Sequence, residues 1–242
     1  VSADFDCDIE IISGVDGDVW DINGPHFKTL TPEYKNDILS VLGVTEEKGI
    51  TVKSECVISA DFECEKKADL SDMKALVCLS FKANAGRLYT IEKIGAVSTS
   101  VDTVKYDDNI LTSSYSDLKE KHILAWKRIW DISYIEIDGD ADAELSLNYS
   151  LYHLNCIAPR NFDSCSIPAR GLSGQVYKGA VFWDTEMFMI DYYIHTEPQI
   201  AKTLLKYRID TLPGALTKAK EYDLDGAYYA WESQEGGYEA CS

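Results

Sequence analysis

The chain has 242 residues and a formal charge of −18, with 41 acidic and 23 basic side chains. Binding to nucleic acid needs clustered Lys and Arg that neutralise phosphates, so this charge argues against a nucleic-acid partner. No run of about 18 apolar residues occurs, so no membrane-spanning helix is predicted. The apolar content of 45% is typical of a globular protein with a hydrophobic core, in one large domain or two smaller ones.

Residues 1 to 103 contain the short apolar runs typical of strands. The stretch "DIEIISGVDGDVWDING" places a Gly/Asp-rich turn between two apolar segments and predicts a hairpin. Further strands are predicted for "ITVKSECVISADFECE", "KALVCLSFKA" and "RLYTIEKIGAVSTSV", which are rich in Val, Ile, Thr, Phe and Tyr. Between them, "TPEYKNDILSVLG" predicts a brief helical insertion that ends at Gly43.

After residue 104 the apolar period becomes helical. Helices are predicted for "SYSDLKEKHILAWKRIWDIS" and for "DADAELSLNYSLYHLNCIAPRN", the second ending near Pro159. In "HTEPQIAKTLLKYRIDTL", Thr196 is the predicted N-cap and Gln199 completes a capping box. Pro213 is expected to begin another short helix. Strands followed by helices indicate an α+β protein or two domains, divided near residues 100 to 115.

The seven cysteines, an odd number, include no CxxC pair and no Cys/His set with zinc-finger spacing. No metal site is therefore predicted. Reduced thiols in a cytoplasmic protein are the simplest interpretation. The chain starts without an initiator Met or a secretory segment, which suggests that it begins inside a longer protein.

Two tryptophan–acid pairs, Trp183–Asp184 and Trp231–Glu232, each follow a Gly-containing loop. In a sugar site, a tryptophan covers the apolar face of a pyranose while the adjacent carboxylate accepts hydrogen bonds from two hydroxyls. Alternatively, the tryptophan belongs to the core and Asp184 caps the helix that follows. Lys178 and Arg170, upstream of the first pair, are further candidate ligand contacts or solvated loop residues. The residues alone leave both interpretations open.

Several blocks of this sequence together resemble glycoside hydrolase family 65, the family of the maltose, trehalose, kojibiose and nigerose phosphorylases. They run through the chain in the family's order, and the "KGAVFWDTE" and "GAYYAWES" parts are the most specific. The blocks are "SGVDGDVWDINGPH", "AWKRIWDISYIEIDGD", "NYSLYHLN", "IPARGLSGQVYKGAVFWDTEMFM", "LLKYRIDTLPGALTKAK" and "GAYYAWES".

The resemblance implies a multidomain α+β fold. Residues 1–103 would be the end of an N-terminal antiparallel β-sandwich, 104–140 a helical linker, and 141–242 the first helices of an (α/α)6 barrel. Members act on α-linked glucose disaccharides by inverting phosphorolysis, with inorganic phosphate as co-substrate, no other cofactor and β-glucose 1-phosphate as product. The full-length protein is expected to be a kojibiose-phosphorylase-like enzyme and a homodimer.

The resemblance also assigns site residues. Trp183, Asp184, Trp231 and Glu232 would line the subsite that holds the non-reducing glucose, and Lys178 and Gln175 are further candidates for substrate binding. In the family the general acid is a Glu farther along the barrel, and the phosphate-binding residues come later still. Neither is expected within this chain, which by itself is expected to be inactive.

Two positions depart from the family's pattern, and two alternatives stay open. The family usually has Glu where Gln175 stands and His where Ala180 stands. These changes remove a charge and an imidazole next to the sugar subsite, which affects specificity and puts activity in question. The alternatives are a family 65 hydrolase similar to the acid trehalases and a non-catalytic carbohydrate-binding protein.

Overall fold

The computed structural model describes residues 1–22, 24–102, 106–107, 109–171 and 176–241. These form two compact units, Val1–His122 and Ile123–Ser242. The first unit contains strands and the second is mainly helical, so the predicted order of strands followed by helices is confirmed. The predicted division at residues 103 and 140 stays a prediction, and residues 103–105 lie outside the described part of the chain.

Nine strands lie in the described part of the first unit. They are β1 (Cys7–Asp16), β2 (Trp20–Asp21), β3 (Gly24–Pro25), β4 (Phe27–Lys35), β5 (Ile38–Thr45), β6 (Thr51–Ala60), β7 (Glu65–Leu70), β8 (Lys74–Ala83) and β9 (Ile91–Thr99), within the described ranges. One antiparallel sheet has the order β1-β8-β7 and another the order β4-β5-β6-β9. Strands β2 and β3 form a separate two-stranded sheet.

The hydrophobic core of this unit lies between the two larger sheets. Strand β8 illustrates how the core forms. Every second side chain of "KALVCLSFKA" is buried, because successive side chains of a strand point to opposite faces of the sheet. Strands β1, β5 and β6 contribute their inward faces in the same way. The core residues are Val15, Leu39, Val41, Cys56, Ile58, Ala75, Val77 and Leu79.

The helix predicted to end at Gly43 is wrong, because this segment forms the hairpin of β4 and β5. Its turn residues Asn36 and Asp37 have φ of 53° and 61°, which matches the left-handed geometry of a tight hairpin turn. Gly43 is required by packing across the hairpin, since an added Cβ would lie 2.6 Å from the ring of Phe27. It does not cap a helix.

The hairpin predicted at "DIEIISGVDGDVWDING" is also wrong. Strand β1 pairs along its whole length with β8, from Cys7 opposite Ala83 to Asp16 opposite Lys74. The Gly/Asp-rich segment leads out of this sheet and into β2. Strand β1 pairs instead with a distant strand, β8, whose residues alternate between buried and exposed faces.

Five α-helices follow the strands in the described ranges. They are α1 (Tyr115–Ser133), α2 (Ala141–Ile157), α3 (Ile190–Thr196), α4 (Pro198–Asp210) and α5 (Leu212–Glu221). Two short strands, β10 (Val181–Phe182) and β11 (Glu232–Ser233), form an antiparallel ribbon. A π-helix over Thr185–Met189 joins β10 to α3. The core of the second unit is built from Ile167, Ile190, Tyr193, Ile200, Ala201 and Leu204.

The predicted helix ends are partly confirmed. Helix α2 ends at Ile157, two residues before Pro159, and α5 has Pro213 in its first turn. The capping box at Thr196 is wrong, because Thr196 is the last residue of α3 and its hydroxyl donates to the carbonyl of Tyr192 at 2.8 Å. A threonine inside a helix bonds back to the preceding turn and cannot cap the next helix.

Within the described ranges, no helix combines the length and the apolar composition that a membrane crossing requires. The same residues contain no group of three or more His, Cys, Asp or Glu that could hold a metal ion.

Candidate sugar-binding site

The ribbon of β10 and β11 brings the two tryptophan–acid pairs together. Val181 pairs with Ser233 and Phe182 with Glu232. In this register Trp183, which follows β10, lies opposite Trp231, which precedes β11. Two motifs that are far apart in the sequence therefore lie side by side.

The two indole rings are packed edge to face. Their centroids are 5.1 Å apart and the ring planes make an angle of 82°, an arrangement that aromatic quadrupoles favour. The indole N–H of Trp183 donates to the carbonyl oxygen of Ala230 at 2.8 Å. Trp183 is half-buried, whereas Trp231 is 46% exposed. Trp183 thus supports the site from within, and Trp231 presents apolar surface to solvent.

The two carboxylates are available to a ligand. Asp184 and Glu232 are both half-buried, and neither carboxylate accepts a hydrogen bond from another described residue. Asp184 stands at the start of the π-helix but makes no side-chain cap, so the alternative that it serves as a helix cap is wrong. A π-helix is rare and often occurs at functional sites.

A third carboxylate, that of Glu239, fixes the backbone of the second pair. It accepts from the backbone N–H of Trp231 at 3.0 Å and from that of Glu232 at 2.9 Å. The ammonium of Lys218 on α5 forms an ion pair with it. Burial alone would raise the pKa of Glu239, but the Lys218 ammonium and the backbone N–H donors outweigh it and lower the pKa to about 2. Glu239 is therefore ionised at neutral pH.

The loop before β10 is connected to the ribbon through aromatic packing. Tyr177 lies edge to face on Phe182, with centroids 5.1 Å apart, and Phe182 contacts Trp231 at 5.8 Å. Tyr177 and Lys178 both have positive φ, 70° and 52°, a conformation that costs non-glycine residues energy and tends to occur at functional sites. Lys178 is exposed on this loop.

The remaining predicted positions are only partly described. Gln175 lies outside the described residues. Ala180, the position where a His was expected from the family's pattern, is fully buried. The structure therefore brings Trp183, Asp184, Trp231 and Glu232 together at one end of the ribbon, with Lys178 on the loop that leads into it.

Sequence reasoning missed two residues that organise this ribbon, Glu239 and Arg208. Arg208 lies on the stripe of α4 that carries Ile200 and Leu204, at a spacing of four residues, and all three are buried. An arginine on an otherwise apolar stripe was a signal that could have identified it, because buried charges need specific partners. Glu239 follows two glycines near the end of the chain, and no sequence pattern distinguishes it.

Two family models cover most of the chain. Residues 1–129 match the glycosyl hydrolase family 65 N-terminal domain, and residues 148–242 match the central catalytic domain of the same family. The chain belongs to glycosyl hydrolase family 65. The resemblance inferred from the sequence blocks is confirmed.

Curated relatives of this family 65 chain include several phosphorylases and a hydrolase. A nigerose phosphorylase from Lachnoclostridium phytofermentans is 44% identical over the whole chain, which covers 36% of that protein. A 1,2-alpha-glucosylglycerol phosphorylase from Bacillus selenitireducens is 34% identical over the whole chain and 32% of its own length. The chain thus spans about a third of the length of these relatives.

The fold is that of a solved family relative. A kojibiose phosphorylase candidate from the human microbiome matches with a TM-score of 0.83, over 99% of this chain and 33% of that one. The sequence identity is 21%, so this likeness concerns the fold. The predicted family 65 architecture of an N-terminal domain followed by part of the catalytic domain is confirmed.

Proposed function

We propose that this chain provides the donor-glucose subsite of an inverting disaccharide phosphorylase that cleaves an α-glucosidic bond with inorganic phosphate. The observation that carries the proposal is the ribbon that brings the two tryptophan–acid pairs together, with the indole rings of Trp183 and Trp231 5.1 Å apart and neither acid side chain bonded to a described residue. The phosphorylases among the relatives support the reaction class, most directly the nigerose phosphorylase at 44% identity.

In this proposal the four residues have different tasks. The exposed face of Trp231 stacks on the apolar face of the glucose ring, and Trp183 holds Trp231 in place. The carboxylates of Asp184 and Glu232 accept hydrogen bonds from glucose hydroxyls, which are stronger because the acceptor is charged. Lys178 and Gln175 complete the list of proposed substrate contacts.

The reaction breaks the bond between the anomeric carbon and the glycosidic oxygen. A carboxylic acid protonates the leaving oxygen while a phosphate oxygen attacks the anomeric carbon from the opposite face, which inverts the configuration and gives β-glucose 1-phosphate. Phosphate is already an anion, so no second carboxylate is needed to activate the nucleophile. The general acid and the phosphate site are proposed to lie outside this chain, which would be inactive alone.

A hydrolase is a second candidate, favoured by one relative. A kojibiose hydrolase from Flavobacterium johnsoniae is 35% identical over 70% of this chain and 25% of its own length. Such an enzyme would use the same donor subsite but would need a base carboxylate to activate water. The two candidates differ in whether turnover requires phosphate.

The test is turnover by the full-length protein of nigerose, kojibiose, maltose and trehalose, with phosphate and with sulfate in its place. The proposal expects glucose 1-phosphate from at least one disaccharide, in phosphate only. Equal release of glucose in both buffers would instead establish the hydrolase. Binding of glucose with no turnover in either buffer would leave a carbohydrate-binding protein. A cytoplasmic location and a homodimer stay predictions.

A further inference from the structure

One buried arginine is bonded to both strands of the ribbon that carries the proposed donor subsite. Arg208 lies on α4 and is 9% exposed. One terminal nitrogen of its guanidinium donates to the carbonyl oxygen of Phe182 on β10 at 2.9 Å, and the other contacts the hydroxyl of Ser233 on β11 at 3.3 Å. The Ser233 hydroxyl donates in turn to the carbonyl of Val181 at 3.1 Å, which ties the strands together.

The same guanidinium also fixes the start of the π-helix. Arg208 donates to Glu186 Oε2 at 2.7 Å. The other carboxylate oxygen of Glu186 is buried and has no hydrogen-bond partner among the described residues. A carboxylate with one unpartnered buried oxygen is costly unless a nearby cation compensates its charge, and here Arg208 provides that charge.

These contacts lie immediately beside the two tryptophan–acid pairs. Phe182 directly precedes Trp183, Glu186 follows Asp184 by two residues, and Ser233 directly follows Glu232. The ring of Tyr229 adds a cation–π contact at 5.9 Å, and its hydroxyl donates to the carbonyl of Arg208 at 2.9 Å. A single side chain therefore contacts the backbone or side chains that flank both pairs.

We infer that Arg208, with Glu186 as its counter-ion, is a positioning residue for the donor subsite. It sets the register of Trp183–Asp184 against Trp231–Glu232 without touching the sugar itself. The planar guanidinium of Arg208 donates hydrogen bonds to three acceptors in fixed directions, and a lysine ammonium cannot reproduce this arrangement. This inference rests on the proposed function, since the effect on turnover presupposes that the ribbon binds the substrate.

The second unit offers a control pair. Arg160 donates to Glu197 Oε2 at 3.0 Å and to the side-chain oxygen of Asn155 at 2.9 Å. This partly exposed Arg–Glu pair joins the segment after α2 to the residue before α4, and its bonds reach neither strand of the ribbon. Replacing Arg160 therefore tests the loss of a bidentate ion pair without a change at the subsite.

The experiment compares Arg208→Lys and Arg160→Lys in the full-length protein. For each variant the unfolding midpoint, kcat, KM for the disaccharide and KM for phosphate are measured. We expect Arg208→Lys to lower kcat/KM for the disaccharide about 10-fold or more, because small misplacements of binding groups reduce rates strongly. KM for phosphate should stay unchanged, and Arg160→Lys should lose less than about 2-fold in kcat/KM at a comparable midpoint.

A purely structural role would give a different result. If both variants lower the unfolding midpoint and neither changes kcat/KM per folded molecule, the inference is overturned. Chemical rescue is a further test, because a purely structural role of Arg208 would not respond to it. Added methylguanidinium should restore part of the activity of Arg208→Ala and should not raise the activity of Arg160→Ala. If Arg208→Lys does not fold, Ser233→Ala removes one of its ribbon contacts and is tested in the same assay.

Failure of the proposed function remains distinguishable from failure of this inference. If the unaltered protein shows no turnover, the phosphorylase proposal fails. Circular dichroism then decides whether Arg208 positions the two pairs. Indole rings as close as those of Trp183 and Trp231 give an exciton signal, and the loss of this signal in Trp231→Phe assigns it to them. Arg208→Lys should weaken that signal while Arg160→Lys preserves it; equal signals in both variants would overturn the inference.

Discussion

At the scale of single residues, the two tryptophans that look equivalent in the sequence have different surroundings. Trp183 donates its indole N–H to Ala230 and is half-buried, whereas Trp231 is 46% exposed. The Trp–acid pattern could be predicted from the sequence because it consists of two adjacent residues. Which tryptophan offers a free face could not, because this depends on the register of a ribbon formed by distant segments.

The titration of Glu239 makes stability depend on acid pH. Its pKa in the folded protein is about 2, against an ordinary value of 4.5, so the folded state favours the ionised form. This stabilisation is complete above about pH 4.5 and is lost as the pH falls towards 2. A shift of this size corresponds to about 3 kcal/mol, and solvent screening of this partly exposed carboxylate reduces the contribution to about 2 kcal/mol.

The pH-dependent stabilisation by Glu239 is checked by urea unfolding of the parent protein and of Glu239→Gln at several acid pH values. The variant cannot ionise at this position, so the stability difference between the two proteins should grow as the pH rises from about 2 to 4.5 and then level off. Parallel curves across this range would show that Glu239 has an ordinary pKa.

The left-handed loop residue Lys178 predicts an unusual response to glycine. Its φ of 52° is unfavourable for a lysine, which has a Cβ, but not for a glycine. We expect Lys178→Gly to be neutral or up to about 1 kcal/mol more stable, measured by urea unfolding. The matched control is Lys202→Gly at an exposed position of α4, which should cost about 1 kcal/mol. Equal losses at both positions would contradict the left-handed conformation.

At the scale of elements, the helices could be predicted better than the strand pairings, because a strand can pair with a local or with a distant segment. The helices α1 and α2 were predictable, since their apolar residues recur at helical spacing. The β4–β5 hairpin was missed because its turn, Asn36–Asp37, carries no glycine, and the left-handed conformation there is uncommon for other residues. The β10–β11 ribbon has only two residues per strand, too few for any alternating pattern.

Close packing of α5 on the turn after β11 predicts the effect of one substitution. A Cβ added at Gly214 would lie 2.5 Å from the backbone oxygen of Gly236. Helix propensity alone would favour alanine by about 1 kcal/mol. The clash is with backbone and cannot be relieved by a side-chain rotation, so Gly214→Ala should be net destabilising by about 1–3 kcal/mol.

Thermal or urea unfolding tests this, with Thr217→Ala as the control on the exposed face of the same helix. The control should be neutral or slightly stabilising, because alanine is the better helix former. A more stable Gly214→Ala variant would show that helix and turn are not in close contact.

At the scale of the whole molecule, this family 65 chain unites a β-sheet domain with the part of the catalytic domain that holds the tryptophan–acid ribbon. Family membership was predictable from the sequence, because specific blocks recur in order. The organising roles of Arg208 and Glu239 were not, since they arise from contacts between α4, α5 and the ribbon. The chain spans about a third of the length of the nigerose and 1,2-alpha-glucosylglycerol phosphorylases.

The most direct test of the central claim is the kcat/KM for disaccharide phosphorolysis of Asp184→Asn in the full-length protein. The side chain of Asp184 makes no hydrogen bond to the described residues and caps no helix, so the change should leave the unfolding midpoint nearly unaltered. If its carboxylate binds the donor glucose, kcat/KM should fall about 100-fold for every disaccharide that is a substrate, because a charged hydrogen bond is lost. Activity within a few-fold of the parent enzyme would contradict the assignment of the ribbon as the donor subsite.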